Sequence, residues 1–577
     1  MSRKKHDETE YEKMRKAYRE VCPMHVVTFE TDMTEEQKRE IFRIAEDLRL
    51  AGNQVVSVMK VRLEQLLRTK KYRALQKQYG YHSERMKDLS EESPAYHDHE
   101  VQRKVIGKQM QEMQKQYKVT DTDTKELMRA VYPAYNLNSV FALTRAEAIW
   151  SAISNVLYGK GKTIHFKKRG DLPVIRAKQI NRALPIHLSK NKDSIKINCE
   201  KVNEFGVIVP KNDLFLQDEL YQICKYLQSL EKENTDLERI AVEAFQKNEF
   251  IEVFRPAYAA LVCETIRGKL RVYVQITVAA SPMPKKDKYG NQRHHFGKGR
   301  IGIDLGTQSC AVVSDSTIKL FNLAERSFVS TKVYCEQKKD LLRKMDRSRR
   351  ASNPERYEKD GTYKKGSRGK WKNSKHYRMM QYKLHELERR NADSRKFAAQ
   401  QDVNKLRSMG DVCIIEPPNA KKLQKRAEKT TREEKTSTIT TKSGKKKVVH
   451  KYKKKKRFGK SVLHRIPGYY QAQLKLKFGD GYHEVPQTFR ASQYDHELDT
   501  YIKKKLSERW HHLSNEKEVQ RDLYSAFLLY CADNDFKIID RNKCLKEFDK
   551  FWEKHQILIQ EIIQNGKHIC NSGIKAA

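Results

Sequence analysis

Three acidic residues stand where carboxylates are costly to bury and well placed to bind metal ions. Asp304 ends one predicted apolar strand, Glu416 directly follows another, and Asp522 lies at the start of a predicted apolar helix. Acids at the edge of a buried core must be paired, protonated or bound to a cation. Two divalent ions about 3.5–4 Å apart share several carboxylates and catalyse in-line phosphodiester hydrolysis. Because Mg²⁺ prefers oxygen ligands, these acids are candidate ligands for two Mg²⁺ ions.

The segment around Asp304 also allows a second interpretation. Its sequence, GIDLGT, resembles the phosphate loop of the actin and sugar-kinase ATPases, which begin with a similar strand, Asp, Gly and Thr. That interpretation explains neither the strand before Glu416 nor the position of Asp522. It also leaves the charge of the chain unexplained.

The charge of the chain favours a polyanionic partner. Its 577 residues include 117 Lys and Arg against 74 Asp and Glu, a formal net charge of +43. Nucleic acid is the favoured partner, because its closely spaced phosphates release counterions when a cationic protein binds. An anionic membrane surface is the weaker alternative, since no apolar stretch of about 18 residues is present for a membrane span. The charged first segment, MSRKKHDETEYEKMRK, lacks the apolar core of a secretory signal, so we expect a cytoplasmic protein.

The ten cysteines indicate neither disulfides nor a zinc site. They are scattered through apolar or mixed segments, and no two of them form a C-x-x-C pair. This spacing predicts reduced, mostly buried thiols in a cytosolic protein. It also predicts that no structural zinc is bound.

The first half of the chain is predicted to contain a long helical region. Apolar periodicity places helices from about Glu35 to Tyr158, with a capping box formed by Thr34 and Gln37 at the start. The same signature at Thr144 and Glu147 predicts the beginning of a further helix.

Short alternating segments on both sides of this region predict a small β-barrel. One strand is expected at Met24 to Asp32, and others follow Lys162, from TIHFKKRG to a hairpin turning at Gly268. The barrel is thus interrupted by the helical region. The segment Ser281 to Gly299, rich in Pro, Gly and charge, predicts a domain boundary.

The second half is predicted to combine buried strands with basic helices. A helical stretch is expected from about Glu336 to Met409, with breaks near Pro354 and Gly361. Residues 421–460 carry 18 Lys and Arg against 3 Glu, which predicts a flexible loop. Strands are expected at QLKLKF and YHEVPQTF, and an amphipathic helix is expected in the last 35 residues.

Taken in order, several segments resemble one family. The segments at 302–306 (GIDLG), 413–427 (CIIEPPNAKKLQKRA) and 520–529 (QRDLYSAFLL) resemble the three motifs of a RuvC-like nuclease domain. Further segments resemble the TnpB family: LLRKMDRSRRASNP at 341–354 with Trp371, Ser374 and Tyr377 downstream, HFKKRGD at 165–171, and KKKLSERW at 503–510. TnpB proteins are transposon-encoded RNA-guided DNA nucleases, and compact type V CRISPR effectors are their descendants.

The resemblance implies an α+β, bilobed, multidomain fold. A wedge β-barrel would be interrupted by a helical recognition domain and followed by a RuvC-like (RNase H-like) α/β nuclease domain with helical and loop insertions. The implied bounds are 1–34 and 161–284 for the wedge domain, 35–160 for the recognition domain, 285–299 for a linker, 300–485 and 520–577 for the nuclease domain, and 486–519 for a target-loading insert.

The resemblance also implies roles for individual residues. Asp304, Glu416 and Asp522 would be the catalytic and metal-binding acids. The residues expected to contact nucleic acid are Arg347, Arg349, Arg350, Trp371, Lys167, Lys168, Arg169, Lys422, Arg426 and Arg509. Arginine matches phosphate geometry with two donors, and Trp can stack on a base. In the alternative interpretation the arginines pair with Asp340, Asp346 and Glu355, and Trp371 fills a helix junction.

The chain departs from the TnpB pattern in one segment. Most TnpB proteins carry two C-x-x-C pairs between the second and third motifs, whereas residues 489–522 contain no cysteine. His496, His511 and His512 do not restore a tetrahedral set of ligands. We therefore expect this segment to be held by packing of Tyr494, Leu498, Tyr501, Leu506 and Trp510.

These observations lead to one expected function and two alternatives. We expect an RNA-guided, Mg²⁺-dependent DNA endonuclease in a prokaryotic, nucleoid-associated setting, with guide RNA, target duplex DNA and the displaced single strand as partners. The first alternative is a guide-dependent DNA-binding repressor without cleavage, which would lack one or more of the acids. The second is a nonspecific basic RNA-binding protein, which leaves the ordered acid motifs unexplained.

Overall fold

The chain folds into two compact units. The computed structural model describes residues 9–86, 89, 91–159, 161–178, 180–231, 235–327, 332–358, 360–364, 369–417, 432–440, 444, 446–452, 459–503, 505, 507–513 and 517–574. The N-terminal unit is Met1–Arg293 and the C-terminal unit is His294–Ala577. Within the described ranges, no helix is both long and apolar enough to cross a membrane.

Helices make up much of the N-terminal unit. They are α1 (Glu10–Val21), α2 (Glu35–Arg68), α3 (Lys70–Arg85), α4 (Pro94–Gln116), α5 (Asp121–Val131), α6 (Ser139–Leu157), α7 (Ile180–Ala183), α8 (Leu214–Ser229) and α9 (Leu237–Gln246). The capping box at Thr34 is confirmed, since its hydroxyl accepts the Gln37 N–H and the Gln37 side chain accepts the Thr34 N–H. The predicted cap at Thr144 is wrong. Helix α6 begins earlier, after Asn138, and the Thr144 hydroxyl instead donates to the carbonyl of Arg176.

The strands of the N-terminal unit form one antiparallel sheet. They are β1 (His25–Thr31), β2 (Ile175–Ala177), β3 (Ile186–Leu188), β4 (Ile195–Cys199), β5 (Asn203–Ile208), β6 (Arg255–Ile266) and β7 (Lys269–Ala279), in the order β2-β6-β7-β1-β5-β4-β3. Strand β1 lies between β5 and β7, which confirms that the early strand joins strands from beyond the helical region. Among the described residues the edge strands β2 and β3 do not pair, so the sheet is a curled half-barrel and not a closed barrel.

One predicted strand of this unit is absent. Residues 164–168, within TIHFKKRG, form no β-ladder. Their backbone is held by side chains of α2, because Asn53 both accepts the N–H of Lys167 and donates to its carbonyl, each at 2.9 Å. Side-chain hydrogen bonds can satisfy a backbone as a sheet does, and periodicity does not distinguish the two cases.

The C-terminal unit is built on a five-stranded mixed sheet. The described strands of the whole unit are β8 (Arg300–Leu305), β9 (Ser309–Ser314), β10 (Ile318–Asn322), β11 (Val412–Ile415), β12 (Arg432–Thr440), β13 (Lys446–Tyr452), β14 (Tyr482–Glu484), β15 (Tyr494–Asp495), β16 (Thr500–Tyr501), β17 (Trp510–His512) and β18 (Glu518–Gln520). The main sheet has the order β10-β9-β8-β11-β14, and β8, β11 and β14 run parallel. The helices are α10 (Lys332–Ser352), α11 (Lys375–Arg407), α12 (Gly459–Arg465), α13 (Pro467–Phe478), α14 (Arg521–Tyr530) and α15 (Arg541–Gln564).

Helices cover both faces of this sheet. One face, with Ile301, Ile303 and Ile415, packs against buried residues of α11 and α13. The other face, with Ala311 and Ile414, packs against α14 and α15. Because side chains alternate along a strand, the residues next to Ile303 on β8 and next to Ile415 on β11 point to the face covered by α14 and α15.

Two predictions for the C-terminal unit are wrong. The segment QLKLKF is the end of helix α13, where Leu474 and Phe478 are buried four residues apart. Short apolar alternation fits a strand and one side of a helix equally well. Within the basic segment 421–460, the described residues form a β-hairpin of β12 and β13 in place of the expected loop.

The predicted state of the cysteines is confirmed. All ten have free thiols; seven are buried, Cys263 and Cys570 are half-buried, and Cys335 is exposed.

His555 on α15 is a buried neutral acceptor. Its Nε2 accepts the backbone N–H of Gln520 at 2.9 Å, and its Nδ1 has no hydrogen-bond partner in the described part of the chain. Burial lowers the pKa of His555 to about 4. The unfolded chain therefore binds the proton more readily than the folded chain between about pH 4 and pH 6.5.

We expect acid to destabilise this helix through His555. Because the pKa of His555 is lower in the folded chain, neutral His555 contributes fully to the free energy of unfolding above pH 6.5. This contribution falls by about 2–3 kcal/mol as the pH falls toward 4. Urea unfolding at pH 7 and pH 4.5 measures this loss. His555→Gln retains a hydrogen-bond acceptor but does not titrate. Between pH 7 and pH 4.5 this variant should therefore lose about 2–3 kcal/mol less stability than the unmodified protein. Equal losses in the two proteins would contradict the prediction.

Candidate active site

The register of the central sheet places Asp304 beside Glu416. Strands β8 and β11 are parallel neighbours, and their last paired residues are Ile303 and Ile415. Asp304 and Glu416 come next on each strand, at the same edge of the sheet. Since Ile303 and Ile415 face α11 and α13, both acids face the side covered by α14.

Helix α14 brings Asp522 to the same place. It lies directly on β8 at Gly302, where an added Cβ would come within 2.1 Å of the Ala526 carbonyl oxygen. Asp304 is two residues after Gly302 on the strand, and Asp522 is four residues before Ala526 on the helix. Both acids therefore extend from the same strand–helix contact. The three acids come from distant parts of the chain and converge at one edge of the sheet.

The electrostatics of the three carboxylates show this convergence. Asp304 keeps some accessible surface but is densely surrounded by protein, and this burial raises its pKa well above the usual range. The charges of Asp522 and Glu416 raise it further, whereas Arg521 lowers it. Burial also raises the pKa of Glu416. These like charges oppose one another's ionisation.

The surroundings of Asp522 include residues that the sequence analysis did not select. Burial raises the pKa of Asp522, and a hydrogen bond from Gln520 and the charges of Arg509 and Arg521 act against this rise. The Gln520 side chain donates to the Asp522 carboxylate at 3.3 Å and also accepts the N–H of Leu523 as the cap of α14. Arg509 was predicted to contact nucleic acid, and the structure places it near this acid. Gln520 had a visible signal, because it precedes an apolar helix in the position of an N-cap.

The donor set fits a divalent cation. Three carboxylates with raised pKa values, gathered at one sheet edge, are oxygen ligands whose mutual repulsion a cation would relieve. Among the described residues, no group of three or more His, Cys, Asp or Glu side chains is arranged closely enough to enclose a metal ion. The chemistry of these acids therefore fits a metal, while a closed ligand shell is not formed in this structure.

The predicted arginines between the first two acids occupy different environments. The guanidinium of Arg349 lies over the rings of Trp371 and Tyr377, at 5.1 and 4.9 Å from their centroids, and donates to the Tyr377 hydroxyl. Arg350 pairs with Asp346 at 2.8 Å. Arg347 is exposed and makes no ion pair with a described residue. The pairing of Arg350 with Asp346 is the one that the alternative interpretation expects, whereas Arg349 has aromatic partners in place of an acid. Arg347 is free to contact another molecule.

Trp371 lies in a cluster of aromatic and cationic side chains. The Arg356 guanidinium is 4.5 Å from its ring centroid, and the rings of Tyr357 and Tyr363 lie 6.3 and 5.7 Å away. These contacts join the end of α10 to the segment before α11. Trp371 therefore packs at a helix junction, and its contact with nucleic acid stays a prediction.

The remaining predicted contacts lie elsewhere. In the N-terminal unit, Lys167 pairs with Asp171 at 2.9 Å, and Lys168 and Arg169 are exposed. Lys422 and Arg426 lie outside the described residues. Lys167, Lys168 and Arg169 belong to the N-terminal unit, and the three acids belong to the C-terminal unit.

The segment without zinc cysteines is held by buried polar pairs. The His511 ring lies 3.1 Å from the Asp495 carboxylate and stacks on Tyr524 of α14. His496 Nδ1 lies 2.7 Å from the Tyr524 hydroxyl. Of the apolar residues expected to hold this segment, Tyr494 is buried and Trp510 is half-buried, whereas Leu498 and Tyr501 are 54% and 50% exposed; Leu506 lies outside the described residues. Packing alone therefore does not account for this segment.

Comparisons with solved structures show distant similarities, two of which are to Cas12i1 R-loop complexes. No protein-family model and no curated protein matches the chain. The crystal structure of the Cas12i1 R-loop complex after target DNA cleavage is 12% identical over 96% of this chain and 65% of that chain, with a TM-score of 0.25. The selenomethionine Cas12i1 R-loop complex before target DNA cleavage is 11% identical over 91% of this chain and 65% of that chain, with a TM-score of 0.25. This chain thus spans about 65% of the length of either structure. Such scores do not establish a common fold, so the function must be argued from the site.

Gly302→Ala tests whether the contact between β8 and α14 supports the site. We expect a loss of about 3 kcal/mol or more, because the new methyl group would lie within 2.1 Å of the Ala526 oxygen and must push helix and strand apart. Urea unfolding measures the change. Gly468→Ala is the matched control, since an added Cβ there meets no atom within 4 Å. Equal stability of the two variants would contradict this account of the packing.

Separate substitutions of Arg347 and Arg349 distinguish binding from packing. Arg349→Gln should lower stability by about 1–2 kcal/mol, because it removes two cation–π contacts and a hydrogen bond. Arg347→Gln should change stability by less than about 0.5 kcal/mol and weaken binding to a labelled RNA. Thermal unfolding of nucleic-acid-free protein and fluorescence anisotropy supply the two measurements. A stability loss at Arg347, or none at Arg349, would show that the two roles are wrongly assigned.

Proposed function

We propose that the chain is an RNA-guided DNA endonuclease that hydrolyses phosphodiester bonds at Asp304, Glu416 and Asp522. The observation that carries the proposal is the convergence of these acids, through strand register and the contact of α14 with Gly302. The same three acids mark the three motifs by which the sequence resembles a RuvC-like nuclease. Two different features of the chain thus select the same residues.

The proposed reaction requires two divalent cations, for which Mg²⁺ is the expected ion. The charges of Glu416 and Asp522 both raise the pKa of Asp304. Asp304 would therefore serve as the ligand shared by the two ions, and Glu416 and Asp522 would each bind one of them. When bound, the ions supply a water nucleophile and stabilise the leaving oxygen. Arg521 and Gln520 lie next to Asp522 and would keep this carboxylate ionised and oriented.

The proposed partners follow from charge and exposure. Guide RNA and target DNA are polyanions, and the chain carries a formal net charge of +43. Arg347, Lys168 and Arg169 are exposed cations to which no described residue offers an ion pair. They would bind phosphates of either nucleic acid without reading sequence. Base pairing with the guide would then supply sequence specificity.

Substitution of each acid by Ala tests the chemistry. Asp304→Ala, Glu416→Ala and Asp522→Ala should each reduce DNA cleavage by at least about a hundredfold, because each removes a ligand needed in the transition state. RNA binding should change less than about twofold, since it depends on distant cations. Cleavage of a labelled duplex with Mg²⁺ and copurified guide RNA, together with RNA binding by anisotropy, supplies both measurements.

Asp402→Asn is the matched control for these substitutions. Asp402 is also a half-buried acid with a pKa raised by burial, but it lies on α11, on the other face of the sheet, and accepts the Tyr470 hydroxyl at 2.5 Å. Its substitution should leave cleavage within a few fold of the original. Full cleavage by the Asp304 variant would refute the nuclease site. Guide-dependent DNA binding without cleavage by the unmodified protein would support the repressor alternative.

A further inference from the structure

Arg145 on α6 is a half-buried cation without a counterion among the described residues. Its Nε is buried and makes no hydrogen bond, and none of the described residues pairs with its guanidinium. Burial lowers the pKa of Arg145, and the more distant charge of Asp171 raises it only in part. Arginine remains charged in proteins, so this environment holds a guanidinium that lacks a partner.

Helix α2 is shaped to receive this guanidinium. Gly52 lies opposite it, and an added Cβ at Gly52 would come within 2.7 Å of the Arg145 Nε. Any larger residue would displace the side chain. Glycine is unfavourable in the interior of a helix, so α2 gives up helix stability at the position where Arg145 lies against its backbone.

Asp171, whose charge acts on Arg145, and the acids Glu46 of α2 and Glu147 of α6 are paired with cations other than Arg145. Glu46 accepts two hydrogen bonds from Arg49, at 2.8 and 2.7 Å. Glu147 is paired with Lys178, and Asp171 is paired with Lys167 at 2.9 Å. The charge of Arg145 is therefore left over after the local ion pairs have formed.

Lys168 and Arg169 are two further cations without an ion pair among the described residues, and side chains of α2 hold the segment that carries them. Arg49 and Asn53, on either side of Gly52, both donate to the carbonyl of Lys167, at 3.0 and 2.9 Å. This anchoring fixes the segment whose next residues, Lys168 and Arg169, are exposed and without an ion pair among the described residues. The charge of Arg169 acts on Glu46, and that of Asp171 acts on both Arg49 and Arg145, so these groups lie within electrostatic range of one another.

We propose that Arg145, Lys168 and Arg169 form a binding site for a phosphodiester of a nucleic-acid backbone, with the half-buried Arg145 as its inner donor. A phosphate offers two oxygens to the planar guanidinium, and successive phosphates of one strand suit the exposed cations beside it. An acidic peptide would also supply anions, but the charge of the whole chain favours a continuous polyanion. This inference rests on the proposed function, because it names a contact for the nucleic acid of that function.

A charge-removing substitution with a matched control tests the site. Arg145→Met should weaken binding of a fluorescein-labelled DNA duplex or RNA of the same sequence about tenfold, because it removes the inner donor of the site. The melting temperature of nucleic-acid-free protein should stay the same or rise, since a half-buried charge without an ion-pair partner is lost. Arg129→Met is the control: Arg129 is an exposed cation of α5 without an ion pair in the described part of the chain, and its loss should weaken binding no more than twofold.

A substitution that leaves the charge unchanged tests the geometry. Gly52→Ala should weaken binding several fold, because the added methyl group displaces the Arg145 guanidinium. Gly80→Ala on α3 is its control, since an added Cβ there meets no atom within 4 Å. Comparison of the DNA duplex, the RNA and inorganic phosphate identifies the source of the phosphate that the site prefers.

Several outcomes would overturn the inference. A lower melting temperature with unchanged affinity in Arg145→Met would assign a structural role, and equal losses in Arg145→Met and Arg129→Met would indicate long-range charge alone. Binding of polyglutamate that is as strong as that of nucleic acid, and equally sensitive to Arg145→Met, would identify an acidic-peptide site. Normal binding by Arg145→Met, with cleavage still dependent on Asp304, would refute this inference and leave the proposed function standing. If the unmodified protein binds no nucleic acid, both fail.

Discussion

Confinement of three like charges at one edge of a buried sheet is the constraint on which the C-terminal unit depends. The charges of Glu416 and Asp522 raise the cost of ionising Asp304, and Arg521, Arg509 and Gln520 offset the cost at Asp304 and Asp522 only in part. The arrangement persists because α14 lies against β8 at Gly302 and because helices cover both faces of the sheet. The apolar cores on both faces of the sheet stabilise the fold. Their stability offsets the cost of holding three carboxylates close together, as is common at functional sites.

The N-terminal unit contains the complementary case, a guanidinium without an anion. Arg145 is held on the backbone of α2 by a glycine, while the acids around it are paired with other cations. In both units, charge that the protein compensates only in part would make the free fold less stable than the same fold with a ligand bound. Ligands that bind only the folded chain would therefore stabilise it by mass action. The signs differ, so the acid site suits cations and the site at Arg145 suits anions.

Cations that look alike in the sequence have different roles in the structure. Arg347 is exposed, whereas Arg349, two residues later on α10, lies over Trp371 and Tyr377. On a helix, residues two apart point in different directions, so neighbours in a basic run are not equivalent. The segment without zinc cysteines shows a related point, because the buried Asp495–His511 pair occupies a place for which apolar packing was expected.

The sequence alone determined the strands before Asp304 and Glu416 and the capping box at Thr34, because each is a local pattern of burial or cap. It also selected the three acids as candidates. It failed where one pattern fits two structures: QLKLKF is a helix, HFKKRG is held by side chains, and the N-terminal sheet is open. Only the tertiary structure decided that Glu416 stands beside Asp304 and that Gly302 admits α14, since register and helix docking depend on contacts between distant residues. It alone showed that Arg145 lacks a partner, because the acids that might have paired with it are claimed by cations from other elements.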